Sequence, residues 1–456
     1  MSQFGLDDTI VALATPEGAA GLAVVRISGP GAVDLAERVL GGRVFGDEVE
    51  THRAVYSILR SVNHCENGEY DPIDQVLALP MLAPRSYTGE DTVELFCHGG
   101  KAVARQVVAA CREAGARPAT AGEFTRRAFL NGKMSLDQAE AVADLIHAES
   151  AHTARAAVRQ LLGGLNRELA EIEGPLLDLL TQVEGSLEFL DEEEIGIEPA
   201  AMLETLRSST DRISRLLDLA PAGRLLREGV HVALTGPVNV GKSSLFNALL
   251  EEDRAIVDDE AGTTRDVVTA TVENKGVRFV FHDTAGLRSA AGRVEQKGIA
   301  RTHEVAAQAD IVLVLQEQGR APETLDLAPD QAVVIQVITK ADLAVDSRSP
   351  EGAVVTSSAD GRGLPELWNA LRQAVDSFRL NEAIAMGVVL NERHRQKLAQ
   401  CRDDLEMLVE EMEAGAGPDV VGTMLSSILS GFGEISGRVF SEQLLASVFG
   451  RFCVGK

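Results

Sequence analysis

Residues 236–243 read Gly236-Pro237-Val238-Asn239-Val240-Gly241-Lys242-Ser243, and this stretch decides the fold of the segment around it. Its spacing matches G-x-x-x-x-G-K-[ST], the Walker A loop, whose backbone N–H groups surround the phosphates of a nucleotide. The mainly apolar run from Val230 to Leu234 predicts a buried strand before the loop. The segment from Ser244 to Leu250 predicts a helix after it, with its N-terminus facing the anion. Strand, loop and helix in this order predict a site for a nucleoside triphosphate.

Ligands for magnesium and phosphate are predicted from this loop and from two motifs that follow it. Lys242 is expected to neutralise the β and γ phosphates, and the Ser243 hydroxyl to bind Mg²⁺. After a predicted strand, Asp283-Thr284-Ala285-Gly286 matches D-x-x-G, in which the aspartate holds Mg²⁺ through water and the glycine N–H contacts the γ phosphate. Thr263 and Thr264 lie between the two motifs, where a switch loop supplies a hydroxyl to Mg²⁺.

The choice of base is predicted by Thr339-Lys340-Ala341-Asp342, at the end of a predicted strand. The Asp342 carboxylate can accept two hydrogen bonds from N1 and N2 of guanine, which adenine cannot offer. The Lys340 stem is expected to lie along the ring, and Ser357-Ser358 to lie near the guanine O6 atom. The usual first residue of this motif is asparagine, so Thr339 predicts one weaker polar contact. Together these residues favour GTP over ATP.

Position 287, directly after D-x-x-G, is leucine, where many switch GTPases carry a glutamine that orients the attacking water. Because leucine cannot orient water, hydrolysis requires another group, without which several powers of ten in rate would be lost. Three alternatives are open: Glu295, a monovalent cation near the phosphates, or an arginine from a partner. The side-chain oxygen of Asn239 fits such a cation, but it equally fits a loop residue that satisfies its own backbone.

Composition limits the class of partner. The chain has 456 residues, of which 45% are hydrophobic and 25% charged, so about two to four globular domains are expected. The formal net charge of −26 repels phosphate backbones unless basic residues are concentrated locally. Any nucleic-acid partner must therefore meet a local basic patch or bind through a second protein. Aromatic residues make up 4%, which disfavours recognition of single-stranded bases by stacking.

Cysteine usage and hydropathy predict a cytoplasmic protein. The five cysteines are odd in number and show neither C-x-x-C nor zinc spacing, which is typical of reduced thiols. Residues 1–8 lack the basic and apolar segments of a signal peptide. Because no uninterrupted apolar stretch approaches the ~18 residues of a membrane span, none is expected.

Helical patterns flank the nucleotide motifs. Ser135, with glutamine three residues later, fits a capping box at the start of a long helical pattern that runs towards Leu162. A second helix carries an apolar stripe from Leu165 to Leu190, and Gly174-Pro175 is expected to kink or split it. Neither the helical segment before the nucleotide domain nor the one after it can close a core alone, so the two are expected to pack together.

Several further stretches form a consistent set. Residues 453–456 read Cys453-Val454-Gly455-Lys456 and follow a predicted amphipathic helix over Ser441 to Phe449. The first part of the chain contains Asp8-Thr9-Ile10-Val11-Ala12, Arg26-Ile27-Ser28-Gly29, Tyr87-Thr88-Gly89-Glu90-Asp91, His98-Gly99-Gly100 and Phe129-Leu130-Asn131-Gly132-Lys133. With the nucleotide motifs, these stretches closely resemble the MnmE (TrmE) family of tRNA-modification GTPases, over essentially the whole chain and in the right order.

The resemblance implies a multidomain α/β plus α fold. Residues 1–125 would form an α+β folate-binding domain that dimerises, and residues 229–380 an inserted Ras-like P-loop G domain (α/β). Residues 126–228 and 381–456 would form the two parts of a discontinuous all-α helical domain. The implied enzyme is a GTPase that hydrolyses GTP to GDP and phosphate.

The resemblance also implies partners and a second reaction. The family acts as a homodimer with the FAD-containing protein MnmG (GidA), as a heterotetramer. Together they add an aminomethyl or carboxymethylaminomethyl group at C5 of the wobble uridine of certain tRNAs. The one-carbon unit comes from 5-formyl- or methylene-tetrahydrofolate. The acidic balance of this chain suggests that tRNA is held mainly through the partner.

Site residues carry over position by position. Arg26, Glu94, Lys133 and Lys456 fall on the folate positions, where a carboxylate suits the pterin edge and cations suit the glutamate tail, although each alone would read as a surface charge. Potassium-dependent pairing of G domains implies K⁺ ligands among Asn239, Asp258, Glu260 and Thr263, in a loop more acidic than the family pattern. Glu295, Lys242 and Cys453 are the catalytic candidates. The predicted nucleotide site comprises Asn239, Val240, Gly241, Lys242, Ser243, Ser244, Asp258, Asp259, Glu260, Ala261, Gly262, Thr263, Thr264, Asp283, Thr284, Ala285, Gly286, Thr339, Lys340, Asp342, Ser357 and Ser358, with Ser243 and Thr264 on Mg²⁺.

Alternatives remain at this stage. A regulatory switch protein, such as a ribosome-assembly GTPase, would show basic RNA-binding modules, and none stands out. A P-loop ATPase of unrelated purpose is disfavoured by Asp342. For Cys453, the functional interpretation is a thiol that takes part in the modification chemistry. The structural one is a small buried residue that anchors the preceding helix, since free cysteine is often buried.

Overall fold

The structure is a computed structural model that describes residues 7–64, 70–188, 198–252, 255–256, 268–283, 307–317, 332–343 and 352–456. Contacts between Cα atoms divide the chain into two compact units. The first unit contains Met1–Ala143 with Gly433–Lys456, and the second contains Asp144–Phe432.

Strands and helices follow one another along the described residues. The strands are β1 (Ile10–Leu13), β2 (Leu22–Ser28), β3 (Val55–His64), β4 (Tyr70–Met81), β5 (Thr92–His98), β6 (Arg117–Pro118), β7 (Val230–Thr235), β8 (Ala255–Ile256), β9 (Val268–Asn274), β10 (Val277–Asp283), β11 (Ile311–Glu317), β12 (Val333–Thr339) and β13 (Val354–Val355). The helices are α1 (Ala32–Val39), α2 (Lys101–Glu113), α3 (Glu123–Leu130), α4 (Leu136–Ile146), α5 (Ala151–Leu161), α6 (Gly164–Glu188), α7 (Pro199–Leu217), α8 (Ala220–Glu228), α9 (Lys242–Glu252), α10 (Leu364–Asp376), α11 (Leu380–Met386), α12 (Glu392–Glu413), α13 (Pro418–Ser436) and α14 (Glu442–Phe449).

The first unit is α+β, as predicted, and contains a sheet of six described strands in the order β3-β4-β5-β2-β1-β6. Pairs are antiparallel except that β1 runs parallel to β6. Helices α1 and α2 contribute to one core with sheet residues such as Val25 and Leu95, both fully buried.

The other face of this sheet carries a row of apolar side chains. Tyr56 pairs with Leu77, Leu77 with Phe96, and Phe96 with Val24, so the row crosses four strands. Because neighbouring residues of a strand point to opposite faces, the row lies opposite the helix-covered core. Tyr56 is 61% exposed and Leu77 is 48% exposed.

Residues 433–456 belong to the first unit. The rings of Phe129 in α3, Phe449 in α14 and Phe452 lie within one buried cluster. Val454 forms an antiparallel bridge with Ala121, just before α3. The division by contacts falls after residues 143 and 432, while the three boundaries between the four segments proposed from the sequence stay predictions.

A buried arginine joins three segments of the first unit. The Arg127 side chain is 2% exposed and forms ion pairs with Asp8 at 2.5 Å, Glu90 at 3.1 Å and Glu123 at 3.2 Å. Arg117 makes a second set of contacts with Asp8 and Glu123. Burial raises the pKa of the Glu123 carboxyl, but hydrogen bonds from Arg117 and the Thr120 backbone, with the charge of Arg127, outweigh it and hold that pKa below its ordinary value.

The second unit joins the helices before and after the nucleotide fold, as predicted. Helix α12 packs along α7, and α11 packs on α5 and α8. Arg227 in α8 donates to the Val389 and Leu390 carbonyls, and the Val389 N–H donates to the Gln160 side chain. The apolar stripe of α6 is buried from Leu165 to Val183, as expected.

The prediction of one long helix from Ser135 was wrong, and of the kink or split expected at Gly174-Pro175 the split is not observed. The pattern from Ser135 to Leu162 forms two helices, because Ser150 caps the N-terminus of α5 by accepting a hydrogen bond from the Thr153 N–H at 3.1 Å. Helix α6 is not split at Pro175. Proline has no N–H for the Glu171 carbonyl four residues earlier, and Arg212 Nη1 donates to that carbonyl at 3.4 Å instead.

The nucleotide fold contains a sheet of seven described strands in the order β13-β12-β11-β7-β10-β9-β8. Strands β13, β12, β11, β7 and β10 are parallel, and β9 and β8 pair antiparallel. The Walker loop connects β7 to α9, as predicted. Trp368 in α10 contacts Phe279 and Phe281 edge to face, which fixes α10 against the sheet.

A hairpin connects the nucleotide fold to α5. Strands β9 and β10 are joined by Lys275 and Gly276, whose φ angles of 47° and 89° suit a tight turn. The Gly276 carbonyl accepts from the His152 N–H at 3.3 Å, and Arg278 pairs with Glu149 at 2.9 Å. A Cβ atom on Gly276 would lie 2.8 Å from the His152 ring, so this turn requires glycine.

Replacement of Arg127 tests the buried ion network. Arg127→Met leaves three carboxylates without their shared cation, so we expect the free energy of unfolding of the first unit to fall by about 3–5 kcal/mol. Urea unfolding followed by hydrogen exchange in β1 and α3 measures this loss. Arg395→Met, which removes an exposed pair with Glu392, is the control and should leave stability near that of the wild type.

The same variant predicts a change in pH dependence. The pKa values of Asp8 and Glu123 are lowered in the folded protein, so their stabilisation is complete above their ordinary values near pH 4 and is lost as the pH falls through the lower folded values. Arg127→Met raises the folded values and should flatten the rise of stability with pH below about pH 5. An unchanged slope would contradict this account.

Candidate functional site

The Walker loop leaves β7 in a conformation that requires glycine at both ends. Gly236 has a φ of 143° and Gly241 a φ of 103°. A Cβ atom on Gly236 would lie 2.5 Å from the Leu315 carbonyl oxygen, so no larger residue fits. Asn239 also lies in the left-handed region, with a φ of 62°, and its side chain is exposed. Asparagine tolerates this conformation better than most residues, so the loop presents Asn239 outward.

Lys242 begins α9, and its side chain lies under the loop with 7% exposure. Its ammonium group donates to the Gly236 carbonyl at 2.9 Å and the Pro237 carbonyl at 2.8 Å. These carbonyls hold the positive charge at the centre of the loop, where it fits the predicted contact with the β and γ phosphates.

The first side chains of α9 meet the end of β10. The Ser243 hydroxyl donates to Asp283 Oδ2 at 2.9 Å. A hydroxyl and a carboxylate oxygen at this separation are hard ligands of the kind Mg²⁺ prefers, beside phosphate oxygens. The residues present therefore fit the magnesium site predicted from the sequence.

The base-recognition motif is tied to the Walker loop. Thr339 is 2% exposed, and its hydroxyl donates to the Val240 carbonyl at 2.5 Å. The sequence predicted a weaker polar contact here, because threonine replaces asparagine. In the structure the Thr339 side chain makes a short hydrogen bond to the phosphate loop. The Ser357 hydroxyl donates to Asp342 Oδ1 at 2.9 Å, which orients the predicted guanine acceptor.

Glu317, the last residue of β11, was missed from the sequence. It pairs with Lys340 at 3.2 Å, and both side chains are about one third exposed. Lys340 itself has a φ of 59°. The carboxyl ends of parallel strands meet at one edge of a sheet. A charged residue at the end of the apolar β11 segment was therefore the signal that could have placed Glu317 near the nucleotide site.

Part of the predicted nucleotide site lies outside the described residues. This applies to the switch and potassium loop, to the end of D-x-x-G, and to the predicted water-positioning residue. These residues are Asp258, Asp259, Glu260, Ala261, Gly262, Thr263, Thr264, Thr284, Ala285, Gly286, Leu287 and Glu295. Their roles stay predictions.

Two of the predicted folate residues form a pair in the first unit. Arg26 Nε donates to Glu94 Oε1 at 2.9 Å, from neighbouring positions of β2 and β5, and the two side chains are 13% and 16% exposed. The Arg26 guanidinium lies 5.1 Å from the Tyr87 ring centroid and 5.6 Å from that of Phe124. Tyr87 belonged to a motif singled out in the sequence without a role, and Phe124 was missed.

The other two predicted folate residues, Lys133 and Lys456, also lie in the first unit. Lys133 Nζ donates to the Pro84 carbonyl at 2.8 Å, and the Lys133 stem packs beside Gly89. The Lys456 N–H donates to the Cys453 carbonyl at 3.4 Å. The place of Lys133 and Lys456 in one site with Glu94 stays a prediction.

The cysteines fall into two kinds. Cys453 is exposed, so the interpretation of this residue as a buried anchor is wrong. Cys97, Cys111 and Cys401 are buried, in agreement with a structural role. Burial raises the pKa of Cys97 to about 11 and that of Cys111 to about 12, which keeps both thiols protonated and unreactive at neutral pH. Cys65 lies outside the described residues.

Thr339 provides a test of the nucleotide site. Thr339→Val keeps the shape but leaves the Val240 carbonyl without its donor, so we expect the dissociation constant for GTP to rise about five- to tenfold, equivalent to about 1 kcal/mol. Thr339→Ser keeps the hydroxyl and should bind within about twofold of the wild type. Titration with a fluorescent GTP analogue measures both, and equal affinities for the two variants would contradict the role of this hydrogen bond.

Two protein-family models match this chain. Residues 9–133 match the model described as GTP-binding protein TrmE N-terminus, and residues 136–453 match the model of the MnmE helical domain. In solved structures, the G domain of the T. maritima FeoB iron transporter is 27% identical and covers 32% of this chain and 98% of its own. Its TM-score is 0.24, which supports no argument about this fold.

Curated relatives match over nearly the full length of the chain. The tRNA modification GTPase MnmE of Akkermansia muciniphila is 38% identical over 452 residues, which is 98% of this chain and 99% of the relative. Those of Geobacter metallireducens (37%, 99% of this chain and 100% of the relative) and Alkalilimnicola ehrlichii (39%, 98% and 99%) are similar to the same extent. With these identities and both family models, this chain belongs to the MnmE family of tRNA modification GTPases.

Proposed function

We propose that this GTPase installs an aminomethyl or carboxymethylaminomethyl group at C5 of the wobble uridine of certain tRNAs. It would do so with the FAD-containing partner MnmG, using a one-carbon unit from 5-formyl- or methylene-tetrahydrofolate. GTP hydrolysis would depend on K⁺ and Mg²⁺ and on pairing of two G domains. Membership in the family supports a GTPase that acts in tRNA modification. The contacts in the first unit support the use of a folate one-carbon unit.

The observation that carries the folate proposal is the neighbourhood of Arg26. In the β1–β2 register, Arg26 pairs with Ala12, and Leu13 is the next residue along β1. A Cβ atom on Gly455 would lie 2.1 Å from the Leu13 carbonyl oxygen, so the Cys-Val-Gly-Lys segment reaches the end of this strand. This arrangement supports a single site that includes the Arg26–Glu94 pair and Cys453.

The chemistry of this region suits a reduced folate. A carboxylate such as Glu94 can accept hydrogen bonds from the amino and N–H groups of a pterin edge. Arg26 neutralises that carboxylate at low exposure and is itself held over two aromatic rings. Lys133 and Lys456 would supply cations to the glutamate tail of the ligand, which carries carboxylates.

Cys453 gives the direct test of the modification reaction. We expect Cys453→Ser to bind 5-formyl-tetrahydrofolate and to hydrolyse GTP at rates within about twofold of the wild type, while modified wobble uridine disappears. Isothermal titration, phosphate release and mass analysis of the tRNA nucleosides measure the three quantities. Cys401→Ser, at a buried thiol, is the control. Full modification by Cys453→Ser would contradict the catalytic role of the thiol.

The potassium proposal is supported by two features of the Walker region. Leu287 replaces the water-orienting glutamine in the sequence, and exposed Asn239 presents a side-chain oxygen from the phosphate loop. We expect KCl to stimulate GTP hydrolysis about tenfold over NaCl, because a bound cation would replace the missing water-orienting group beside the phosphates. Lys242→Ala supplies the zero-rate control. Equal, slow rates in both salts would point to a conventional switch that awaits a separate activating protein.

We further infer a homodimer through the first unit, bound to MnmG as a heterotetramer. The apolar row supports this, because Tyr56 and Leu77 are exposed beside half-buried Phe96 and Val24, and neighbouring exposed apolar side chains often mark an interface. The net charge of −26 favours tRNA contact mainly through the partner. In the described part of the chain every helix is too short or too polar to cross a bilayer, and we propose a cytoplasmic location.

A further inference from the structure

Two glycines in the left-handed region hold the Cys-Val-Gly-Lys segment in place. Gly122 has a φ of 67° and Gly455 a φ of 99°. The Gly122 N–H donates to the Cys453 carbonyl at 3.4 Å, and Val454 bridges to Ala121. The segment is thus paired with the residues just before α3.

Gly122 stands at a position where another residue would stabilise the helix better. It is the N-cap of α3 and makes no side-chain cap hydrogen bond, whereas serine, threonine, asparagine and aspartate are the preferred caps. A Cβ atom at position 122 would lie 2.6 Å from the Phe449 carbonyl oxygen and 3.1 Å from Phe452 Cβ. Glycine is therefore required by the approach of the chain that leads to Cys453, and the helix lacks its cap as a result.

Gly455 makes the second close approach. A Cβ atom there would lie 2.1 Å from the Leu13 carbonyl oxygen and 3.1 Å from Ala14 Cα, at the end of β1. Gly455 is buried, and Phe452 on the other side of the thiol is 6% exposed. Cys453 lies between these two buried residues and is exposed. The backbone on both sides is fixed, while the thiol remains accessible.

We propose that Gly122 and Gly455 are positioning residues for the modification reaction, because they set where the Cys453 thiol and Lys456 lie relative to the Arg26–Glu94 pair. This inference rests on the proposed function. Alanine at either position would displace the segment by moving its backbone, since Cβ contacts under 3.0 Å are not accommodated by side-chain adjustment when the neighbour is backbone. The thiol would stay present and exposed but would be displaced from the folate region.

The chain offers matched controls. Gly132, directly after the other end of α3, has the same φ of 67°, and a Cβ atom there would meet nothing within 4 Å. Gly115 has a φ of 112° with equally open surroundings and matches Gly455. Gly132→Ala and Gly115→Ala therefore introduce the same backbone strain as Gly122→Ala and Gly455→Ala without moving the segment.

The test uses the full chain with its flavoprotein partner and a tRNA substrate. We expect Gly122→Ala and Gly455→Ala each to lower kcat of tRNA modification at least tenfold, with KM for tRNA and GTP hydrolysis within about twofold of the wild type. The Gly132→Ala and Gly115→Ala controls should keep modification within about twofold. Faster hydrogen exchange confined to residues 119–123 and 450–456 should accompany the loss, and a purely structural role would instead raise exchange through the whole unit.

Each outcome decides one question. Modification by Gly122→Ala and Gly455→Ala at the rate of their controls would overturn the positioning role. Loss of GTP hydrolysis together with modification would also overturn it, because the damage would then be general. If Gly122→Ala does not fold, Gly455→Ala and its control decide alone. Full modification by Cys453→Ser, by contrast, would contradict the proposed function. It would not contradict the position of residues 453–456, which the exchange measurement reports independently.

Discussion

The buried guanidinium of Arg127 is the constraint on which the first unit depends. It holds Asp8 before β1, Glu90 in the Tyr87-Thr88-Gly89-Glu90-Asp91 motif and Glu123 in the first turn of α3. Glu90 also accepts from Ser28, two residues from Arg26, and Glu123 directly follows Gly122. One buried cation, the Arg127 guanidinium, therefore fixes both the candidate folate region and the residues before α3 against which residues 453–456 pack. A buried charge needs every partner in place, since removing one member leaves the others without compensation.

The nucleotide fold is constrained differently, through the backbone. The strands β9 and β10 lead away from the predicted switch loop and towards Asp283, and their turn lies against α5. Helix α5 is in turn held by its contacts with α8 and α11, through Thr153 on the Leu226 carbonyl and Arg159 on the Ile384 carbonyl. The β9–β10 hairpin therefore connects the phosphate motifs to the helices on either side of the nucleotide fold in the chain.

The sequence predicted local features well and long-range ones poorly. Walker spacing and the strand–loop–helix order follow from contacts within a few residues, and they were confirmed. The strand Val55–His64 was missed, and Pro175 was expected to interrupt α6, although Arg212 on another helix satisfies the freed carbonyl. The bridge from Val454 to Ala121 spans most of the chain, and no local pattern encodes such a contact. The family resemblance supplied the candidate folate residues, but it gave no reason for glycine at positions 122 and 455, which only the close contacts with Phe449 and Leu13 provide.

Thr339 and Gly122 illustrate one rule about departures from a pattern. At each position the residue present is a poorer choice by local criteria, since threonine lacks the second polar atom of asparagine and glycine has no side chain to accept a hydrogen bond from the first turn of a helix. In each case the reason lies in a carbonyl from a distant segment, that of Val240 in the first and that of Phe449 in the second. Thr339 donates a hydrogen bond to the Val240 carbonyl, and Gly122 leaves space for the Phe449 carbonyl. At these two positions, the residue that violates a local preference marks a close approach between two segments of the candidate sites.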